Sequence, residues 1–108
     1  MTGVSTHVLD AALGRPAAGV PITLRSAAGA VAGTGSTDHD GRVPDLSRGR
    51  VEAGTYQLVF DTAAYFAASG QPGFYPEVVI TFAVTDPQQH HHVPLLLSPF
   101  AYSTYRGS

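Results

Sequence analysis

The clearest strand pattern in the chain is Gly54-Thr55-Tyr56-Gln57-Leu58-Val59-Phe60, in which large apolar side chains occupy every second position. Tyr56, Leu58 and Phe60 fall on one face, because successive side chains of a strand point to opposite sides of a sheet. This period-2 alternation predicts a strand with one face turned towards a core. The stretch therefore indicates a protein built on β-sheets.

Strand signals recur on both sides of this stretch. They cover residues 4–10, 20–25, 30–36, 76–84, 90–97 and 100–106. After Phe60, Asp61 and Thr62 supply N-cap chemistry for a short helix over residues 63–69, which Gly70 ends. Seven or eight short strands with one helical turn predict an all-β sandwich.

Length and composition indicate one globular domain. The chain has 108 residues, of which 44% are hydrophobic and 13% are charged, so we expect a single domain over residues 1–108 with an ordinary core. So little charge also suits a domain that buries surface against copies of itself. The formal net charge of −2 argues against nucleic acid or an anionic membrane as a partner. With no cysteine, neither a disulfide framework nor a thiolate metal site is available.

Targeting signals are not apparent in the sequence. Residues 1–7 lack the charged start and apolar run of a signal peptide. No segment approaches the roughly 20 apolar residues of a membrane span. We therefore expect a soluble, cytoplasmic protein.

Histidines are the first candidates for chemistry. Strand alternation places His90 and His92 on one face and His91 on the other. Two imidazoles at i and i+2 can bind zinc when a third ligand joins them, although a purely structural strand end has the same spacing. His7 lies in the first predicted strand, on the face of Ser5, and a lone histidine in a strand is more often structural than functional.

Other reaction classes find little support in the sequence. It contains no Gly-x-Ser-x-Gly elbow and no glycine-rich phosphate loop after a strand. The segment Asp38-His39-Asp40-Gly41 is similar to the start of a calcium loop but lacks the later glutamate and both flanking helices, so we predict a turn. The remaining histidine, arginine, tyrosine and serine side chains suit the activation of water and the binding of a polar ring. The residues alone thus predict a β-sandwich with a candidate histidine-based site.

Three segments of the chain resemble one known family. They are Ser5-Thr6-His7-Val8-Leu9-Asp10 with Gly14-x-Pro16-Ala17 after it, Thr37-Asp38-x-Asp40-Gly41-Arg42, and His90-x-His92-Val93-Pro94-Leu95-Leu96-Leu97-Ser98-Pro99-x-x-Tyr102-Ser103-Thr104-Tyr105-Arg106-Gly107-Ser108. On these motifs, residues 4–108 resemble the transthyretin-like 5-hydroxyisourate hydrolase family. One departure is His91, where that family more often has an aromatic residue; we expect its side chain to point away from the site.

The resemblance implies a fold, an assembly and a reaction. The fold would be a transthyretin-like β-sandwich of two four-stranded sheets with one short α-helix. The assembly would be a homotetramer with active sites in the channel between dimers. The reaction would be hydrolysis of 5-hydroxyisourate to 2-oxo-4-hydroxy-4-carboxy-5-ureidoimidazoline, a step of purine catabolism from urate to allantoin, without a metal or other cofactor.

The resemblance also implies the site residues, which are His7, Arg42, His92, Tyr105 and Ser108. His92 with His7 would activate water, and Arg42 would hold the planar oxygens of the substrate and oppose developing negative charge. Ser108 would share in catalysis and, with Tyr105, close and orient the site. A guanidinium nearby should keep the histidines neutral, so activity should fall below about pH 6.

Two alternatives stay open on the sequence. The first is a carrier that binds a small hydrophobic ligand in the same channel, although an apolar ligand would leave histidine and arginine unpaired. The second is a zinc-dependent hydrolase that uses His7, His90 and His92. Within the terminal segment, Arg106 has the opposite strand parity and is expected to be structural, whereas Gly107 should let the backbone approach closely.

Overall fold

The computed structural model describes residues 3–49 and 51–108. Its elements in chain order are β1 (Gly3–Asp10), β2 (Arg15–Pro16), β3 (Pro21–Ser26), β4 (Val31–Ser36), β5 (Arg42–Val43), β6 (Gly54–Phe60), α1 (Thr62–Ser69), β7 (Val78–Val84), β8 (His90–Ser98) and β9 (Ala101–Thr104). The strands form two sheets. This architecture confirms the prediction of an all-β sandwich with one short helix.

The first sheet is built around a parallel pair of strands. β1 runs parallel to β8 over eight residue pairs, from Gly3 opposite His90 to Asp10 opposite Leu97. β9 is antiparallel to β8 on one side, while β2 and β5 both pair with the other edge of β1. The sheet thus contains five strands but is four strands wide. The second sheet has the order β4-β3-β6-β7.

The core lies between the two sheets. In β1, Val4 and Val8 are fully buried, and they face the interior with Leu95 of β8. Leu58 of β6 is fully buried in the same cluster, and burial of one such aliphatic side chain contributes about 1.5–3 kcal/mol. Residues of opposite parity in β1 and β8 point to the outer face of the first sheet. This outer face carries the candidate chemistry.

Helix α1 is fixed to the end of β1 by a buried carboxylate. Asp10 accepts hydrogen bonds at Oδ2 from the Tyr65 hydroxyl (2.5 Å) and Gln71 Nε2 (3.0 Å), and at Oδ1 from the Leu13 amide (2.8 Å). Burial alone would raise the pKa of Asp10, but these hydrogen bonds outweigh it and the pKa is lowered. Burial and the bond to Asp10 raise the pKa of Tyr65 to about 12. The pair is therefore a carboxylate and a neutral phenol at neutral pH.

The helix itself is short and capped at both ends. Asp61 caps its N-terminus by accepting a hydrogen bond from the Ala64 amide, and Gly70 ends it in the left-handed conformation with φ of 68°. These are the residues that the sequence predicted for the two ends. α1 has eight residues, and nowhere in the described ranges is a helix long and apolar enough to cross a membrane.

Candidate active site

Strand pairing brings three distant segments together on the outer face of the first sheet. β5 places Arg42 opposite His7 of β1. On the other edge of β1, β8 places His92 opposite Ser5. Because residues that face each other in neighbouring strands project to the same side, all four side chains emerge on one surface.

A tight turn positions Arg42. The carboxylate of Asp38 accepts hydrogen bonds from the amides of Asp40 (2.9 Å) and Arg42 (3.0 Å), and the hydrogen bond from Arg42 is the main cause that lowers its pKa. Gly41 has φ of 77° and accepts a hydrogen bond from the Val8 amide at 2.7 Å. A Cβ atom at Gly41 would lie 2.4 Å from the Val8 carbonyl oxygen, so only glycine lets the turn dock against β1.

His7 is tied to the same turn. Its Nε2 lies 2.9 Å from the carbonyl oxygen of Asp40. A carbonyl oxygen can only accept, so Nε2 of His7 carries the hydrogen and Nδ1 of the neutral ring keeps a lone pair. The contact fixes His7 beside the segment that delivers Arg42.

His92 is half-buried, and its surroundings favour the neutral ring. Its Nδ1 lies 2.8 Å from the Ser5 hydroxyl. Burial lowers the pKa of His92, and the positive charge of Arg42, followed by His7 and His90, lowers it further. The sequence predicted that a nearby arginine would keep the histidines neutral, whereas in the structure burial lowers the pKa of His92 more than Arg42 does. A neutral imidazole at neutral pH is the form that can accept a proton.

The terminal segment closes over the ring of His92. The amide of Gly107 donates to the carbonyl oxygen of His92 at 2.9 Å. A Cβ atom at Gly107 would lie 2.5 Å from Cδ2 of His92, so a glycine is needed for the backbone to pass this close. The sequence predicted that Gly107 lets the backbone approach closely, and in the structure the group that it approaches is the imidazole of His92. The segment brings Ser108 to the same surface.

A cleft of about 530 Å³ joins these groups, and we call it the histidine cleft. Its polar lining consists of Ser5, Thr6, Arg42, His90, His92 and Ser108. Three residues of the sequence-predicted site, Arg42, His92 and Ser108, thus meet here. The sequence-based site did not include Ser5 or His90. Their shared strand parity with His7 and His92 was the available signal, but the register between β1 and β8 could not be read from the sequence.

Two residues of the predicted site lie outside the lining of the histidine cleft. His7 is near enough to affect the pKa of His92 but does not border the cleft. Tyr105 is 59% exposed and borders a second cleft, of about 590 Å³, between β7 and the terminal segment; His92 lines both clefts. Arg106 donates from Nη2 to Oε1 of Gln89 at 3.1 Å, which agrees with a structural role.

His91 points to the opposite side of β8, as its parity predicted. It is 4% exposed, and burial is the main cause that lowers its pKa. Within the described ranges, the three-residue group whose metal-ligand atoms lie within 4.8 Å of one another is Asp38, His39 and Asp40, all exposed. His7, His90 and His92, the trio of the zinc hypothesis, are not brought that close together.

A comparison with known protein families decides where the chain belongs. The model of the HIUase/Transthyretin family matches residues 4–107. The chain belongs to the HIUase/Transthyretin family. The match begins within β1 and extends beyond β9, and it confirms the resemblance seen in the three sequence segments.

Both 5-hydroxyisourate hydrolases and a transthyretin are similar to this chain. The 5-hydroxyisourate hydrolase of Deinococcus radiodurans is 44% identical over 114 residues, which cover 98% of this chain and 96% of that protein. The structure of Klebsiella pneumoniae 5-hydroxyisourate hydrolase superposes with a TM-score of 0.91 at 36% identity and covers 100% of both chains. Sea bream transthyretin, crystallised with thyroxine, superposes with a TM-score of 0.83 at 31% identity, covering 96% of this chain and 93% of that one.

Proposed function

We propose that this chain is a 5-hydroxyisourate hydrolase that forms 2-oxo-4-hydroxy-4-carboxy-5-ureidoimidazoline in urate degradation, without a metal or other cofactor. The observation that carries the proposal is the histidine cleft, in which the half-buried ring of His92 lies beside the guanidinium of Arg42. Relatives with this activity in their names align along nearly the whole chain.

His92 is proposed to activate the water. The water oxygen bonds to the lactam carbon of the six-membered ring while one water proton passes to the imidazole. The C–N bond then breaks as the imidazolium of His92 returns that proton to the departing ring nitrogen, which leaves the ring-opened acid and a neutral imidazole. General base assistance of this kind contributes about 10²–10⁴-fold to a rate. The lowered pKa of His92 supports the role, because the ring is then free to accept a proton at neutral pH.

Arg42 is proposed to bind the planar oxygens of the substrate. Its guanidinium presents several N–H donors in one plane, a geometry that suits adjacent carbonyl oxygens. Its positive charge also stabilises the negative charge that develops on the carbonyl oxygen as water adds. The side chain is exposed on the outer face and supported from behind by the turn at Asp38, so the guanidinium is available to a ligand.

The other proposed site residues surround this pair. His7, tied through Nε2 to the Asp40 carbonyl, is the second histidine of the proposed pair, and it lies near enough to lower the pKa of His92. Ser108 lines the histidine cleft and supplies a hydroxyl for orientation of the substrate. Tyr105 is proposed to contact the substrate from the neighbouring terminal segment.

A homotetramer is part of the proposal. β7 and β9 are the terminal strands of their sheets, and the cleft beside them is lined partly by Ile80, Phe82 and Val93. Unpaired strand edges next to apolar surface suit pairing with another copy. Sedimentation equilibrium should give four times the chain mass of 11.2 kDa; a monomer at assay concentration would contradict the proposed tetramer.

The carrier hypothesis is less well supported. An apolar ligand in the histidine cleft would desolvate Arg42, His92 and Ser108 without pairing them, which costs free energy. Equilibrium dialysis with thyroxine tests it directly, and micromolar binding without hydrolysis would favour the carrier. The cytoplasmic location remains a prediction, to be checked by cell fractionation.

The hydrolase activity is tested with freshly generated 5-hydroxyisourate. Its ultraviolet absorbance decays spontaneously, and the protein should accelerate that decay in proportion to its concentration. NMR of the reaction should show the ring-opened product named above. Decay at the spontaneous rate, with folded protein present, would contradict the proposed function.

A further inference from the structure

The hydroxyl group of Ser5 joins two histidines. Ser5 Oγ lies 2.7 Å from Nε2 of His90 and 2.8 Å from Nδ1 of His92. The parallel register of β1 and β8 causes this arrangement, because it sets Ser5 opposite His92 while His90 lies two residues earlier on the same face. The serine is 6% exposed, so bulk water does not readily compete for its two contacts.

The number of protons limits this arrangement. A serine hydroxyl has one hydrogen to donate, so Oγ donates to one imidazole and accepts from the other when both rings are neutral. In one arrangement, Nδ1–H of His92 donates to Oγ and Oγ–H donates to Nε2 of His90. In the opposite arrangement, Nε2–H of His90 donates to Oγ and Oγ–H donates to Nδ1 of His92.

The two arrangements give His92 different chemistry. In the first, Nδ1 of His92 carries the hydrogen and Nε2 keeps a lone pair that can take a proton from water. In the second, Nε2 carries the hydrogen and the ring can only donate at that atom. Nε2 of His92 makes no hydrogen bond with the described part of the chain, so it is the nitrogen left for a ligand.

The electrostatics of the histidine cleft favour the first arrangement. Arg42 lines the same cleft and its positive charge acts on His92. A lone pair on the free nitrogen of His92 is attracted by that charge, whereas an N–H dipole pointing into the cleft is repelled. A general base requires the same tautomer.

Packing keeps the ring in this orientation. Gly107 lies against the Cδ2 and Cγ atoms of His92, on which a Cβ would close to 2.5 and 3.2 Å. Ser5 holds the Nδ1 side. A 180° flip of the ring would put a carbon atom where Nδ1 now meets the hydroxyl, and the hydrogen bond would be lost. Ring orientation and tautomer are therefore set together.

We propose that Ser5 is a positioning residue which, with His90 as its acceptor, holds His92 in the Nδ1–H tautomer and leaves Nε2 ready to accept a proton. The role of that proton acceptor in catalysis rests on the proposed hydrolase function. The tautomer itself does not, and it can be measured on the protein without substrate.

The direct test is ¹⁵N NMR of histidine-labelled wild-type protein at neutral pH. The His92 signals are assigned from their loss in His92→Ala, and their chemical shifts distinguish a protonated from an unprotonated ring nitrogen. We expect Nδ1 to be protonated and Nε2 unprotonated in the wild type. The Nε2–H tautomer in the wild type would overturn the proposal, whatever the activity of the enzyme.

Variants at Ser5 connect the tautomer to turnover. Ser5→Ala should shift the ring towards a mixture of tautomers and lower kcat by about 10–100-fold, the order of loss known for partners that orient metal-bound histidines, with KM near the wild-type value. Ser5→Thr keeps the hydroxyl and should restore both readouts. Ser36→Ala, an exposed strand serine on the second sheet, is the matched control and should change neither.

The outcomes separate the two proposals. A folded Ser5→Ala with wild-type kcat and an unchanged tautomer would overturn the positioning role. If Ser5→Ala does not fold, Ser5→Thr and the wild-type spectrum still decide the tautomer. A wild-type protein that does not hydrolyse 5-hydroxyisourate would remove the proposed function, while the NMR result would still stand for or against the hydrogen-bond arrangement.

Discussion

Replacement of Gly107 by alanine should displace the ring of His92, the proposed general base, far enough to slow catalysis. The added Cβ would start 2.5 Å from Cδ2 of His92, whereas carbon atoms in contact lie about 3.5–4.0 Å apart. The ring or the terminal segment must therefore move by about 1 Å. Ser5 holds the ring and the amide of Gly107 holds the segment, so relief of the clash disturbs one of these contacts.

A displacement of this size has a known order of effect on rate. Misplacement of a reacting group by about 1 Å can lower the rate by about 10²-fold. We therefore expect Gly107→Ala to lower kcat/KM for 5-hydroxyisourate by about 10²-fold, measured by ultraviolet decay at neutral pH. Overpacking should also reduce the free energy of unfolding by about 1–3 kcal/mol, measured by urea denaturation.

A second glycine separates lost stability from lost activity. Gly70 ends helix α1 with φ of 68°, and a Cβ there would meet no atom within 4 Å. Gly70→Ala should cost about 1–2 kcal/mol through backbone strain and leave kcat/KM unchanged. Wild-type kcat/KM in a folded Gly107→Ala would refute the placement of His92 in the reacting site, and an equal loss in both variants would trace the effect to stability.

Four other outcomes follow from the structure. Tyr65→Phe removes a hydrogen bond to buried Asp10 and should lower the free energy of unfolding at pH 7 by about 1.5–3 kcal/mol. Because the folded-state pKa of Asp10 is lowered, this stabilisation is present above its unfolded pKa of about 3.9 and is lost as the pH falls through the folded value, so denaturation curves of the two proteins should converge in acid. The acid limb of kcat/KM, which reports the free enzyme, should lie below 6.5, the ordinary pKa of histidine, since the pKa of His92 is lowered; a limb above 6.5 would count against His92 as the base. Arg42→Gln removes a nearby positive charge and should raise the pKa of His92 in an NMR titration, and no change would contradict the electrostatic coupling. Treatment with a chelator should leave turnover unchanged, whereas loss that zinc restores would support a metal enzyme.

Local patterns were sufficient to predict most of the elements. The strand predicted over residues 54–60 has the bounds of β6, because its alternation is strong, Gly54 begins it and Asp61, the N-cap of α1, follows it. The predicted strand over residues 76–84 begins two residues later in the structure, at Val78. Pro76 and Glu77 precede the strand: the Pro76 carbonyl accepts a hydrogen bond from the Ala63 amide at the start of α1.

Contacts between distant segments could not be predicted in the same way. β2 and β5 have two residues each, too few to show a period, and they form because β1 offers an edge. The parallel register of β1 and β8 depends on the whole core, so the proximity of Ser5 to His90 and His92 was not visible in the sequence. The candidate residues Arg42, His92 and Ser108 came from the family motif, whereas their shared cleft required the fold.

The decay of fresh 5-hydroxyisourate with wild type and His92→Ala, compared side by side at pH 7, tests the proposed chemistry most directly. His92 is held neutral beside Arg42, and loss of a general base lowers a rate by about 10²–10⁴-fold. We expect the wild type to clear the substrate rapidly and His92→Ala, folded and in the same oligomeric state, to be slower by about that factor. Equal rates for the two proteins would contradict the assignment of the histidine cleft as the active site.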